Sequence, residues 1–329
     1  MTRNAIFILG PTASGKTALA LHLADRFPVE IVSIDSALVY RDMNIGTTKP
    51  NAATLRRYPH HLVDVIDPTE VYSAARFCAD ARQAMNAIVG RGKVPLLVGG
   101  TMLYARALLG GLSDLPAADA DVRAELEALA ARIGWPAMHR QLARIDPRTA
   151  QRLNPADSQR IQRALEVYQI TGTPLSVLQT RATSSPEFPY RALKIGLIPG
   201  DRAMLHQNIA ARFDAMIAGG IVDEVRQLRS HYPLSHDMPA MRCVGYRQAW
   251  QFIDGKIDGT SLRDKGIAAT RQLAKRQMTW LRSMQDVEAF DCFRPDLNES
   301  VACRCAEFLT TRSAHESDAR HQPVIRRDT

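Results

Sequence analysis

The amino-acid sequence predicts an α/β fold: a parallel sheet flanked by helices, with a helical domain inserted between two of its strands. Three observations carry this. Short, unbroken apolar runs at residues 5–9, 31–34 and 95–98 have the length of strands buried on both faces. Helix-patterned segments and turn residues separate them, the alternation that produces parallel crossovers. A fourth run, residues 193–198, comes only after a long, mostly helical stretch from about 116 to 183.

Within that stretch Val122, Leu126, Leu129 and Ile133 recur at helical spacing, as do Ile161, Ala164, Leu165 and Tyr168, so both segments are expected to bury a face. Residues 180–189, rich in serine, threonine and proline, read as the linker back to the core. The expected organisation is a core in two parts, 1–115 and 191–310, an insertion at 116–190, and a disordered polar tail at 311–329.

With 46% hydrophobic and 23% charged residues in 329, the chain can bury a sizeable core, which excludes a largely disordered protein. A formal net charge of +8 leans towards a polyanionic partner. No stretch approaches the roughly 18 apolar residues of a membrane span, and Met1-Thr2-Arg3-Asn4 runs straight into the first strand, so a cytoplasmic protein without membrane contact is expected. The cysteines, Cys78, Cys243, Cys292, Cys303 and Cys305, are odd in number and irregular in spacing, against a disulfide framework. A zinc site from Cys303 and Cys305 with His315 and His321 is disfavoured, because helix neighbours two apart point about 200° apart.

The strongest local signal is Gly10-Pro11-Thr12-Ala13-Ser14-Gly15-Lys16-Thr17, a P-loop pattern between a buried strand and a helical run. Its backbone N–H groups converge on phosphate oxygens, the helix directs its positive end at them, and Lys16 adds a cation. The Thr17 hydroxyl is the candidate ligand for Mg²⁺. The motif makes the sheet P-loop NTPase-like and leaves open which phosphate compound is bound.

A nucleotide hydrolase carries an acid at the end of another core strand. Here the run ending at Val98 leads into Gly99-Gly100-Thr101, and the carboxylate follows the second strand, at Asp35. Strand ends of a parallel sheet share one crevice, which would gather Lys16, Asp35 and Thr101. Taken singly, Asp35 as a turn residue and Thr101 as a helix cap are the plainer readings.

Together with Asp35-Ser36-Ala37-Leu38-Val39-Tyr40, Gly46-Thr47-Thr48-Lys49-Pro50, Val98-Gly99-Gly100-Thr101-Met102-Leu103-Tyr104, Arg242-Cys243-Val244-Gly245-Tyr246-Arg247 and Lys275-Arg276-Gln277-Met278-Thr279-Trp280-Leu281-Arg282, the P-loop resembles the bacterial tRNA dimethylallyltransferases in order and spacing, over about residues 5–285. Eukaryotic members carry a C-terminal zinc finger, for which this chain shows no credible counterpart.

The resemblance implies that the P-loop, from Gly10 to Thr17, holds the diphosphate of dimethylallyl diphosphate with Mg²⁺, assisted by Arg202 at the opening of the helix after the fourth strand. It implies that Asp35 takes the proton of the adenosine amine and Thr101 holds that amine. It assigns tRNA contacts in the anticodon loop to Asp35, Ser36, Ala37, Leu38 and Thr101, to Arg123, to Gln159, Arg160, Ile161, Gln162 and Arg163, to residues 242–247, and to the helix bearing Arg271 and residues 275–282. On that helix Arg271, Lys275 and Arg282 form a cationic stripe, and Leu273, Ala274, Gln277 and Leu281 mark a mostly core-facing one. A monomer is expected. Two rivals stay open: a P-loop nucleoside or nucleotide kinase using Asp35 on a hydroxyl, and a non-catalytic RNA-binding switch.

Overall fold

The computed structural model describes residues 3–111, 115–181 and 188–311. In chain order the elements are β1 (Arg3–Leu9), α1 (Lys16–Arg26), β2 (Val29–Ile34), α2 (Ala52–Arg57), β3 (His60–His61), α3 (Ala74–Gly90), β4 (Val94–Gly99), α4 (Met102–Gly110), α5 (Ala120–Ile133), α6 (Trp135–Ile145), α7 (Pro147–Arg152), α8 (Ser158–Thr171), α9 (Leu175–Arg181), β5 (Tyr190–Ile198), α10 (Arg202–Ala218), α11 (Ile221–His231), α12 (Tyr246–Ile253), α13 (Gly259–Arg282), β6 (Val287–Asp291) and α14 (Leu297–Thr310).

The six strands form one sheet in the order β3-β2-β4-β1-β5-β6, every pair parallel. Each expected apolar run is a strand, and β2 is buried along its whole length because helices cover both faces. One face packs Ile6, Ile8, Ile195 and Leu197 against Leu19 and Leu23 of α1 and Val301 and Phe308 of α14. On α1 and α14 these residues recur at helical spacing, which is why burial selects helix there. The two edge strands β3 and β6 were not expected from the sequence. One has two residues, and the other, Val-Glu-Ala-Phe-Asp, has no residue fully buried.

Two compact units emerge from the chain contacts: one joins residues up to Ala107 with those from Pro189, and the second runs from Leu108 to Phe188. The second is helical, with Leu126, Met138, Leu142, Ile161, Ala164 and Leu165 in its core. Ile133, expected on the buried face of α5, is its last residue and is exposed. The linker at 180–189 and the tail at 311–329 lie largely outside the described residues, as do His315 and His321 of the zinc proposition. Of its cysteines Cys303 is exposed and Cys305 buried, on different faces of α14.

Candidate active site

Three strands end level. In the sheet register Gly99 of β4 pairs with Ile34 of β2 on one side and Leu9 of β1 on the other. The loops that follow, opening at Gly10, Asp35 and Gly100, therefore leave one edge side by side, the outer two about 9–10 Å apart at two strand spacings. Glycine at 99 is required by this approach: a Cβ there would stand 2.0 Å from the Ile34 carbonyl oxygen. The same carbonyl accepts the Thr101 N–H at 3.1 Å.

The loop after β1 turns through two left-handed residues, Ala13 (φ 63) and Gly15 (φ 80), before α1 begins at Lys16. The turn folds Lys16 back, so that its Nζ donates to the Pro11 carbonyl at 2.5 Å. Burial pulls the Lys16 pKa down to about 8, partly countered by the Asp35 charge and reinforced by Arg212. An ammonium held this way lacks solvation that an anion can replace.

Lys16 opens onto a cavity of about 450 Å³. Thr12, Lys16 and Thr17 line it from the P-loop, Asp35, Ser36, Ala37 and Leu38 from the loop after β2, and Gly100 and Thr101 from the loop after β4. Gly10, Pro11, Ala13, Ser14 and Gly15 shape the turn without lining the cavity. Asp35 is half-buried, and its Oδ1 accepts the Ala37 N–H at 2.8 Å, the turn contact that residue type suggests. The Thr101 hydroxyl reaches across to the neighbouring loop, accepting the Ser36 N–H at 3.0 Å and donating to Ser36 Oγ at 3.2 Å. Asp35 and Thr101 are thus fixed to each other through Ser36.

The arginine beside these groups is Arg212, which the sequence reading missed. Arg202 is exposed at the first turn of α10 and does not line the cavity, whereas Arg212 does. Ten residues along a helix separate them by about 15 Å along its axis. Burial lowers the Arg212 pKa, with Asp35 opposing. A signal was available: Arg212 shares a heptad-like stripe with Ile209, Phe213 and Met216, all buried, an unusual place for a cation.

Of residues 242–247, Arg242, Cys243 and Val244 line the cavity. Burial and, next, the Asp35 charge push the Cys243 thiol up to about 12, so it stays protonated at neutral pH. Gly245 and Tyr246 are buried and Arg247 is exposed. The Tyr246 side chain is therefore not placed for the RNA contact implied by the resemblance. Its hydroxyl donates to Glu224 Oε1 at 2.5 Å, and Glu224 also accepts the N–H groups of Asn44 (3.0 Å) and Ile45 (2.7 Å). This buried carboxylate holds the loop whose Gly46, Thr47 and Thr48 form another wall. Gly46 is needed there, since a Cβ would meet the Tyr246 ring at 2.4 Å.

On α13, Arg271, Lys275, Arg276, Thr279 and Arg282 are exposed, and Arg276 also lines the cavity. Ala274, Met278 and Leu281 are buried, so the latter two lack the accessible side chains an RNA contact needs. Leu273 and Gln277, expected to face the core, border the cavity instead. The Trp280 ring lies beneath the Arg106 guanidinium at 5.0 Å.

In the second unit Gln159 and Arg160 are exposed and Ile161 is buried in the core. Arg123 and Arg163 are held by the fully buried Glu166: Arg123 Nε donates to Oε1 at 2.8 Å and Arg163 donates to Oε2 at 2.7 Å. Gln162 donates to the Arg123 carbonyl and to Glu127. Arg123 and Arg163 share this one carboxylate and remain part-exposed, and Arg160 pairs with Asp157. Among the described residues no helix is long and apolar enough to cross a membrane, and no group of three or more His, Cys, Asp or Glu converges as a metal site.

Comparison with known proteins places this site in context. Residues 38–284 match the family model described as IPP transferase, and residues 3–64 that of isopentenyl transferase. The chain is 58% identical over 307 residues to the tRNA dimethylallyltransferase of Dechloromonas aromatica, covering 93% of this chain and 98% of that one. It is 59% identical over 305 residues to that of Thiobacillus denitrificans, with 93% and 97% covered. Its fold matches the full-length tRNA isopentenylpyrophosphate transferase of Bacillus halodurans with a TM-score of 0.69 at 34% identity, covering 97% and 100%. It also matches a eukaryotic dimethylallyltransferase acting on tRNA, with a TM-score of 0.78 at 26% identity, covering 95% and 81%.

Proposed function

Since the chain belongs to the tRNA dimethylallyltransferase family, we propose that it transfers the dimethylallyl group of dimethylallyl diphosphate to the exocyclic N6 of the adenosine 3′-adjacent to the tRNA anticodon, releasing diphosphate. The observation that carries this reading is the gathering of Lys16, Arg212, Asp35 and Thr101 around one cavity, with Gly99-Gly100-Thr101 in the place of a hydrolase acid. The relatives are named for prenyl transfer, which favours it over the kinase alternative.

In this reading the allylic C–O bond breaks as charge builds on the departing diphosphate, where Lys16, Arg212 and the N-terminus of α1 offset it. Leu38, Phe213, Met216, Val244 and Leu273 give the five-carbon chain apolar walls. The N6 nitrogen forms its bond to the allylic carbon while Asp35 accepts the proton it sheds, and Thr101 orients the amine. The base is unstacked to reach the cavity, at a cost of a few kcal/mol that selects an unpaired nucleotide. Mg²⁺ fits the donor set: the Thr17 hydroxyl lines the cavity, and a hard cation takes its other ligands from diphosphate and water. When bound it would neutralise diphosphate charge.

The cations of α13 and α8 suit the anticodon arm, and the protein is proposed to act in the cytoplasm. Incubation with unmodified tRNA, Mg²⁺ and dimethylallyl diphosphate, followed by nucleoside mass analysis, tests the reading. A prenylated adenosine is expected. ATP turnover without prenylation would overturn it in favour of a kinase.

A further inference from the structure

We infer that Gln277 is a positioning residue: its amide ties the tRNA-facing helix α13 to both halves of the reaction site, so that the donor loop and the Asp35–Thr101 pair keep one spacing. The inference rests on the prenyl-transfer reading above. Gln277 Oε1 accepts the Thr12 N–H at 2.8 Å, inside the P-loop, and Nε2 donates to the Gly100 carbonyl at 3.0 Å. Its two partners lie 265 and 177 residues away in the chain, and the three segments share no direct covalent neighbour.

The downstream links are short. Gly100 leads to Thr101, whose hydroxyl is bonded to Ser36, the residue after Asp35. Thr12 precedes Lys16 by one turn of loop. One side chain therefore fixes the donor cation relative to the proton acceptor, and it does so from the helix that exposes Arg271, Lys275 and Arg276 beside it. The packing is built around the amide. A Cβ at residue 100 would stand 2.3 Å from Gln277 Nε2 and 3.1 Å from the Gly10 carbonyl oxygen, so glycine at 100 makes room for the contact. Met278 and Ala274, on the adjoining stripe, are buried and hold the register of α13 without Gln277. With one bond accepted from the P-loop and one N–H donated to Gly100, the Gln277 amide spans the site.

The geometry makes a chemical demand that a filler residue would not: one atom must accept and its neighbour must donate. Glutamate at 277 meets it only when protonated, since the ionised carboxylate cannot donate to Gly100 and would repel its carbonyl. The test is single-turnover prenylation with saturating substrates, tRNA affinity, and melting curves for wild type, Gln277→Ala, Gln277→Glu and Gly100→Ala. Gln277→Ala is expected to lower the rate about 10–100-fold, the scale of a slight misplacement of reacting groups, with tRNA Kd within about threefold. Gly100→Ala, which displaces the amide, should resemble it. The rate of Gln277→Glu relative to wild type should climb at least threefold as pH falls from 8 to 5.5, while wild type measured in parallel gives the pH dependence the reaction has without that carboxylate. A rate near wild type in Gln277→Ala, a loss confined to tRNA affinity, or a pH-independent Gln277→Glu ratio would each overturn the role. If Gln277→Ala does not fold, the Gln277→Glu ratio alone decides. Wild-type enzyme that fails to prenylate any tRNA would instead remove the underlying activity, a distinct result.

Discussion

Lys16→Met is expected to make the protein more stable while removing donor binding. Lys16 carries its charge in a place that depresses its pKa from 10.5 to about 8, a difference equivalent to about 3 kcal/mol against the charged form. The side chain is half-buried, so solvent screening reduces that figure, and losing the bond to the Pro11 carbonyl removes about 1 kcal/mol more. A net gain of roughly 1–2 kcal/mol remains, or about 2–6 °C in melting temperature for a chain of this size. The pH dependence fixes the sign. The folded pKa lies below the unfolded one, so between about pH 8 and 10.5 the unfolded chain holds the extra proton and wild-type stability rises with pH. The advantage of Lys16→Met is therefore full at pH 7 and shrinks towards pH 10.5. Donor affinity in wild type runs the other way, falling about tenfold between pH 7 and 9 because the diphosphate needs the protonated amine. Scanning calorimetry at pH 7 and 10 with calorimetric titration of dimethylallyl diphosphate measures both. A lower melting temperature for Lys16→Met at pH 7, or normal donor binding by it, would refute the reasoning.

Four further outcomes follow from the site. Asp35→Asn should slow single-turnover transfer by roughly 10²–10⁴-fold, about 3–5 kcal/mol, with donor and tRNA affinities within a few-fold of wild type and an unchanged melting curve; near-normal transfer would remove its role as base. Arg212→Ala should weaken donor binding and slow transfer by about 10–10³-fold, whereas Arg202→Ala leaves both within about twofold; steady-state kinetics of the pair decides which arginine serves the diphosphate. Replacing Arg271, Lys275 and Arg282 together by Ala should reduce the salt slope of tRNA binding by about two to three, read from affinities across a salt series. Tyr246→Phe, which strips the buried Glu224 of one donor, should destabilise by about 1–3 kcal/mol without altering that slope, as a melting curve beside the same salt series would show.

The sheet was legible where strands are buried on both faces. β1, β2, β4 and β5 appear in the sequence as unbroken apolar runs, while β3 and β6, half-exposed at the edges, lack any run that burial would impose. Lys16, Asp35 and Thr101 were legible for a related reason: Asp35 and Thr101 stand within two residues of a strand end, and Lys16 closes the loop that leaves β1, where a parallel sheet directs its loops to one place. Arg212 and Glu224 were not, because both lie inside helices whose rotation about their axes is set by packing. Periodicity gives the buried stripe of α10 but not that a cavity opens beside Arg212. The implied RNA contacts divide by the same logic. Arg271, Lys275 and Arg282 fall on the solvent side of α13, whereas Met278 and Leu281, adjacent in the motif, are turned into the core.

The pairing of β1 with β5 has a consequence for the order in which the chain takes shape as it is made. β4 can dock on one flank of β1 once about a hundred residues have been translated, but the other flank waits for Tyr190 to meet Arg3. The intervening residues include the whole of the second unit, whose helices contact one another over short sequence separations and can fold early. At roughly 5–20 residues per second, β1 then stands for about 5–20 s with one row of backbone groups unpaired. Its sequence, Ala5-Ile6-Phe7-Ile8-Leu9, is the kind that recruits another copy. Slowing translation between β4 and β5 should therefore cost soluble yield, and speeding it should restore that yield, without any change in the stability of the finished protein.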